Sequence, residues 1–369
     1  MRECARLEWR VGDGGDPAVI ASSFLARYGL GVPVCEPSLT ERDGVLGAAL
    51  FVSAAAGASM IGVRSGVSSP APAVPDLAIV VYEASPEPAP QPPSAGAWRL
   101  GTWAPSWSPR EHAAAVSAVR EAIARGDVYQ VNLVGHASAP YVGDPGPALD
   151  RVTRLPGARY PYQLRGDGWA IACASPETLV RVGLDGGSSL VETLPIKGTR
   201  PATSEGRREL LVSLKERAEH VMIVDLERND LARIARTGSV RVPSLFEVRR
   251  WCDLWQAESR VVADLADGVG LADLLRAMCP GGSVTGAPKL AALAQIAALE
   301  PVGRGPSMGA LGWLDRTRID LGLTIRTVAV DADRVHLWAG GGITWDSEPD
   351  AEVAEAAAKA APLRSALTP

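Results

Sequence analysis

The sequence predicts an α+β fold, and two observations carry that expectation. Strand-like and helix-like segments are mixed along the chain without the regular strand–helix–strand alternation of a doubly wound parallel sheet. The 369 residues are 47% apolar and 21% charged, enough to bury a sizeable core. No fixed-period repeat interrupts this reading.

Residues 1–85 read as short mixed helices and strands. Val45–Val52 and Leu77–Tyr82 are apolar runs containing β-branched residues, and each predicts a strand. The Pro-rich stretch 84–98 cannot supply ladder hydrogen bonds and predicts an exposed connection between residues 1–100 and 101–369. Ser108 followed by Pro109 then opens a helix. Ala115, Val116, Val119 and Ile123 carry it at helical spacing towards Gly126. Strands are expected at Tyr129–Val134, Trp169–Ala174 and Leu179–Val182. A long amphipathic helix is expected from Ser204 to Ile223, with a second piece past Asp230 closed by Gly238, and then a strand at Ser239–Val242. Helices follow at 270–278 and 287–298, and strands at 308–314, 321–330 and 334–339. The closing helix starts at Ser347, takes Pro349 into its first turn and runs to about residue 365.

The net charge of -5 leaves no basic footprint for nucleic acid or anionic lipid. A small anionic ligand stays open, because a local pocket can be cationic on an acidic protein. Cys4, Cys35, Cys173, Cys252 and Cys279 are scattered without a CxxC pair, which predicts a reducing compartment and no structural zinc. The Met1-Arg-Glu-Cys start does not read as a signal peptide, and no apolar run is long enough to span a membrane. The cytoplasm is the expected location.

Three groups of residues could do chemistry. Glu216 with Glu219, and Glu352 with Glu355, are i, i+3 pairs that each place two carboxylates on one helix face. They are either solvated faces or, if they converge, an oxygen-rich site suited to Mg²⁺. Gly281 to Lys289 precedes a helix and could hold an anion on its backbone N–H groups, though its lysine is misplaced for a nucleotide loop. Gly340–Ile343 could let backbone approach a ligand; ordinary turn glycine is the alternative for both segments. Lys197, in an apolar segment, either snorkels to solvent or is a nucleophile with a lowered pKa. Arg326, in a β-rich run, either faces outward or clamps a carboxylate.

These segments occur together and in order, and so the chain resembles the chorismate-using enzymes: anthranilate synthase large subunit, aminodeoxychorismate synthase component I, and the isochorismate and salicylate synthases. The resemblance rests on Gly126-Asp-Val-Tyr-Gln-Val-Asn-Leu133, Ser175-Pro-Glu177, Pro195-Ile-Lys-Gly-Thr-Arg200 and Ala218 to Leu226. It continues through Arg228-Asn-Asp-Leu231, Gly281 to Lys289, Ile325-Arg-Thr327 and Ala339 to Ile343, covering roughly residues 105–362. It implies two packed antiparallel sheets surrounded by helices, with the site between them.

Within the family, Pro-Ile-Lys-Gly-Thr looks like the aminodeoxychorismate synthases. The implied chemistry is attack of Lys197 on C2 of chorismate, loss of the C4 hydroxyl, and addition of ammonia at C4. Glu177 resembles the general acid. Gln130 stands where water-using members carry a lysine base, and Thr199 is a wall residue. The resemblance puts Mg²⁺ on Glu219 and Glu352, with Glu216 and Glu355 holding its water shell. It makes Arg326 the enolpyruvyl carboxylate clamp, assisted by backbone around Gly282, Ser283 and Gly341, with Lys359 facing the same pocket. No Gly-x-Cys-x-Gly elbow is present, so ammonia is expected from a separate glutamine amidotransferase subunit. Gln256 and Ser307 replace a His and a Tyr usual in the family. Three rival readings follow: amination at C2, giving anthranilate or 2-amino-2-deoxyisochorismate; a chorismate-binding protein with impaired catalysis; and a glycosidase, disfavoured by the lack of an aromatic platform.

Overall fold

Apolar strands from both ends of the chain meet in one sheet. In the computed structural model, which describes residues 1–33, 44–64, 66–85, 97–185 and 188–369, Val45–Val52 lies between Leu77–Glu83 and Ala310–Leu314. Arg2–Trp9 forms one end of this sheet. Among the described residues the sheet has ten strands, passing through Arg318–Leu323, Thr178–Asp185, Ser188–Leu194 and Leu254–Asp264 to Ile196–Pro201. The strands Arg2–Trp9, Val45–Val52 and Leu77–Glu83 thus belong to the same sheet as the later strands. The greater part of the expected Pro-rich connection, residues 86–96, lies outside the described residues, as does Cys35.

Among the described residues a second sheet of eight strands is centred on Gln130–Val142, Arg334–Ile343 and Thr327–Asp331. All recorded strand pairs of both sheets are antiparallel. Leu50, Phe51, Ile79, Val180, Leu321 and Ile171 are fully buried in one core cluster that draws on strands of both sheets. The α+β expectation holds. Among the described residues no helix is long and apolar enough to cross a membrane.

Several boundaries differ from the sequence reading. The helix expected over Ser204–Ile223 is two, Ser204–Val212 and Leu214–Ala232. Ser213 separates them with extended backbone and caps the second. The strand expected over 321–330 breaks at Thr324–Arg326, where Arg326 takes a φ of +52°. Tyr129–Val134 extends to Val142 and the strand at Ser239–Val242 becomes Arg241–Trp251. The helix expected from 287 starts at Lys289, and the closing helix at Pro349. The strands Ser188–Leu194 and Leu254–Asp264 were not anticipated.

Candidate active site

One cavity gathers residues from both sheets and two helices: Lys197 and Thr199, Glu177, Ser283, Arg326, and the four glutamates 216, 219, 352 and 355. The helix Leu214–Ala232 brings its pair through its cap, since Glu216 N–H donates to Ser213 Oγ at 3.2 Å. The first turn is thereby fixed, and Glu216 and Glu219 share a face. Pro349 opens the helix Pro349–Leu367 and leaves Glu352 in its first turn. The N-terminal ends of both helices favour this negative charge.

The four carboxylates fall into two kinds. Glu216 is paired with Arg200 at 2.9 Å, and Glu355 with Lys359 at 2.5 Å. Burial works against the Glu355 charge, yet the Lys359 ammonium outweighs it and leaves the carboxyl below its ordinary range. Glu219 is only 3.9 Å from Lys215 and accepts from Thr344 Oγ1 at 3.0 Å. Burial first, and the Glu216 charge second, push Glu219 up to about 7. Burial also raises Glu352, against the Ser347 hydroxyl. Glu219 and Glu352 are therefore the carboxylates whose charge is least compensated, which suits a divalent cation. Among the described residues no three His, Cys, Asp or Glu side chains converge on one point. Water or a ligand would have to complete the shell, a pattern that fits Mg²⁺.

Lys197 enters from the strand Ile196–Pro201, which shifts register between Lys197 and Thr199. Gly198 makes this bulge with φ +74°, and a Cβ there would meet Leu210 at 2.7 Å and Glu216 at 2.9 Å. Only glycine fits. The Lys197 Nζ donates to Ser283 O at 3.0 Å. Burial lowers its pKa, opposed by the charges of Glu177 and Glu219. Glu177 is buried and its pKa is raised by that burial, against the Ser283 hydroxyl and Lys197. It also accepts from Ile196 N–H at 3.2 Å. Both groups are thus pushed towards their uncharged forms, an amine beside a carboxylic acid.

Arg326 stacks its guanidinium 4.5 Å from the Trp251 ring centre and donates from Nη1 to Lys359 O at 3.4 Å. Burial lowers it to about 10, so it remains cationic at neutral pH. Its Nε is buried without a partner among the described residues. An under-satisfied buried guanidinium on a cavity is a ready carboxylate clamp.

The expected residues are not all on the wall. Gln130 is fully buried, and neither of its amide atoms has a partner among the described residues. It lies behind Gly342, where a Cβ would sit 2.0 Å from Gln130 Nε2 and 3.2 Å from Lys197 Nζ. Gly282 is likewise in the layer behind, against Leu226 and Glu227. The Ser283 N–H, expected to meet a ligand, donates instead to Glu227 Oε1 at 3.3 Å. A Cβ on Gly341 would lie 3.1 Å from Glu352 and 3.5 Å from Lys359. Gln256 is buried and lines the cavity, whereas Ser307 is buried away from it and donates to Thr324 O at 3.4 Å. Lys215, Asn132, Met308 and Trp338 also line the cavity without having been singled out from the sequence. Lys215, Met308 and Trp338 stand in none of the quoted motifs, and Asn132 stands in the motif at residues 126–133 without a role assigned to it.

Comparison with known proteins adds an independent line. Residues 49–365 match the sequence profile of the chorismate binding enzyme family. The chain is 42% identical over 237 residues to aminodeoxychorismate synthase component 1 of Salmonella typhimurium, a match over 62% of this chain and 51% of that protein. It is 37% identical over 273 residues to anthranilate synthase component 1 of Streptomyces coelicolor, over 72% and 53% of the two chains. The chain thus spans about half the length of the curated relatives it matches. Among solved structures, anthranilate synthase component I from Streptococcus pneumoniae superposes with a TM-score of 0.79 at 27% identity, covering 98% of this chain and 90% of that one.

Proposed function

The chain belongs to the chorismate binding enzyme family, and from that premise we propose that it aminates chorismate at C4, giving 4-amino-4-deoxychorismate. The observation that carries the reading is the Lys197 amine, held at 3.0 Å by the Ser283 carbonyl in a cavity whose burial disfavours its charge. A neutral amine is the form that can attack carbon.

In this mechanism Lys197 Nζ bonds to C2 of the ring, both ring double bonds shift along the ring (C1=C2 to C1=C6, C5=C6 to C4=C5), and the C4–oxygen bond breaks. Glu177, biased by burial to keep its proton, gives that proton to the departing hydroxyl, which leaves as water. Ammonia then bonds to C4, both double bonds return to C1=C2 and C5=C6, and the Lys197–C2 bond breaks. Arg326 holds the enolpyruvyl carboxylate and Thr199 walls the ring. Gln130, uncharged and buried behind Gly342, offers no base to activate water, which favours ammonia as the second nucleophile. Glu219 and Glu352 would hold Mg²⁺, with Glu216 and Glu355 around its water shell. When bound, the ion supplies positive charge against the ring carboxylate.

Relatives named component 1 support a partner component, and a glutamine amidotransferase supplying ammonia is the partner proposed. The cytoplasm is the proposed location. The test is NMR and mass spectrometry of the product made from chorismate, Mg²⁺ and ammonium. An amine at C4 supports the reading. An amine at C2, or binding with no turnover at all, overturns it.

A further inference from the structure

The loop 280–285 lies between the amine and the helix Leu214–Ala232, and its central residue Ser283 is engaged on three sides. Its carbonyl accepts from Lys197 Nζ at 3.0 Å, its hydroxyl bonds the Glu177 carboxyl, and its N–H donates to Glu227 Oε1 at 3.3 Å. Glu227 is 2% exposed, and its second oxygen is buried without a partner among the described residues. No step of the proposed reaction uses it. The neighbouring glycine leaves room for this contact, since a Cβ on Gly282 would come within 2.9 Å of Glu227 Oε1.

The other end of the loop is tied to the same helix. Lys289 bridges Asp230 at 2.7 Å and the Pro280 carbonyl at 2.9 Å. That helix also carries Glu216 and Glu219, about three and two turns before Glu227. One rigid element therefore presents both the carboxylate face and the support for the amine's acceptor.

We propose that Glu227 is a positioning residue, a buried carboxyl that fixes the Ser283 peptide and, through its carbonyl, the direction of the Lys197 amine. It acts as a hydrogen-bond acceptor. Burial first, and the Asp230 charge second, push its own pKa up, towards the neutral acid. A glutamine carbonyl can make the same contact with the same charge.

The inference rests on the reading of Lys197 as the nucleophile. The test compares Glu227→Gln and Glu227→Leu, both close in volume to glutamate, with wild type and Lys197→Ala in the same C4-amination assay. Glu227→Gln is expected within about threefold of wild type in kcat. Glu227→Leu is expected to lose at least about tenfold in kcat, with KM changed less, because a poorly aimed nucleophile slows chemistry more than binding. Labelling of Lys197 by acetic anhydride, followed by peptide mass spectrometry, gives a second readout that needs no turnover and remains usable if Glu227→Leu folds poorly. Glu227→Gln should label at the wild-type rate and Glu227→Leu at a clearly different one.

Equal kcat for the two variants overturns the proposal by reducing Glu227 to space-filling. A loss in Glu227→Gln as deep as in Glu227→Leu overturns it by showing that acceptance from Ser283 is not the role. Should Glu227→Leu be unfolded, a Glu227→Gln labelling rate that departs from wild type overturns it. Full C4 product from Lys197→Ala would instead defeat the functional reading, whatever the Glu227 variants do.

Discussion

Gly342→Ala should cripple the amination while leaving the chain folded. The added Cβ would lie 2.0 Å from Gln130 Nε2 and 3.2 Å from Lys197 Nζ. The first contact is impossible as it stands, so the Gln130 amide must move. Gln130 is fully buried, and the Lys197 amine is the next group the added carbon would meet. Overpacking of this kind costs about 1–3 kcal/mol. Replacing a strand glycine returns roughly 0.5–1 kcal/mol of backbone entropy, so a net loss of about 1–2 kcal/mol is expected. At roughly 2.1 cal/mol/K per residue of unfolding entropy, the 369-residue chain should melt only about 1–3 °C lower. A nucleophile displaced by about 1 Å loses on the order of 100-fold in rate. Gly340→Ala is the control, because its Cβ would lie 1.8 Å from the backbone oxygen of Leu133, which cannot swing away. That variant should be destabilised well beyond Gly342→Ala. Calorimetry with the C4-amination assay separates the two effects. Gly342→Ala with wild-type kcat would refute the packing of Gln130 and Lys197 around that strand.

Three further outcomes are expected. Arg326→Lys keeps the charge but loses the planar fork and the stacking on Trp251, so KM for chorismate should rise about 10- to 100-fold in steady-state kinetics with kcat changed less. Glu352→Gln should weaken Mg²⁺ binding at least about tenfold by calorimetric titration, while Asp225→Asn, on the same helix as Glu219 but exposed, should not; equal affinities would remove Glu352 from the cation site. Burial, then His336 and Arg334, hold His136 down at about 3, and burial holds His336 at about 4. Against an unfolded value near 6.5, their contribution to stability is complete above that pH and is lost as pH falls towards 4 and then 3. His136→Gln with His336→Gln should therefore make the acid fall of the melting temperature shallower, and an unchanged slope would contradict this assignment.

The fold class and part of the candidate site were legible in the sequence, for different reasons. Helical spacing pairs Glu216 with Glu219 and Glu352 with Glu355 but leaves open whether the pairs converge; the helices bring all four to one cavity with Lys197. Helical spacing is a local property, and the Ser108 and Pro349 starts are local chemistry. The strand Leu254–Asp264 is different. It pairs with three others, and such pairing is decided by distant chain that periodicity does not record. Arg326 shows the same limit on a smaller scale. Its neighbours have strand character, yet the chain turns there through a positive φ that only tertiary packing can hold. Glu227 passed as one more helical glutamate, because its meaning comes from a loop more than fifty residues away.

Peptide mass spectrometry of Lys197 after incubation with chorismate and Mg²⁺, with ammonia withheld, interrogates the nucleophile itself. The peptide containing Lys197 should gain the mass of chorismate less one water and lose it again when ammonium is added. An unmodified Lys197 in protein that nevertheless turns chorismate into the C4 amine on adding ammonium would contradict the account.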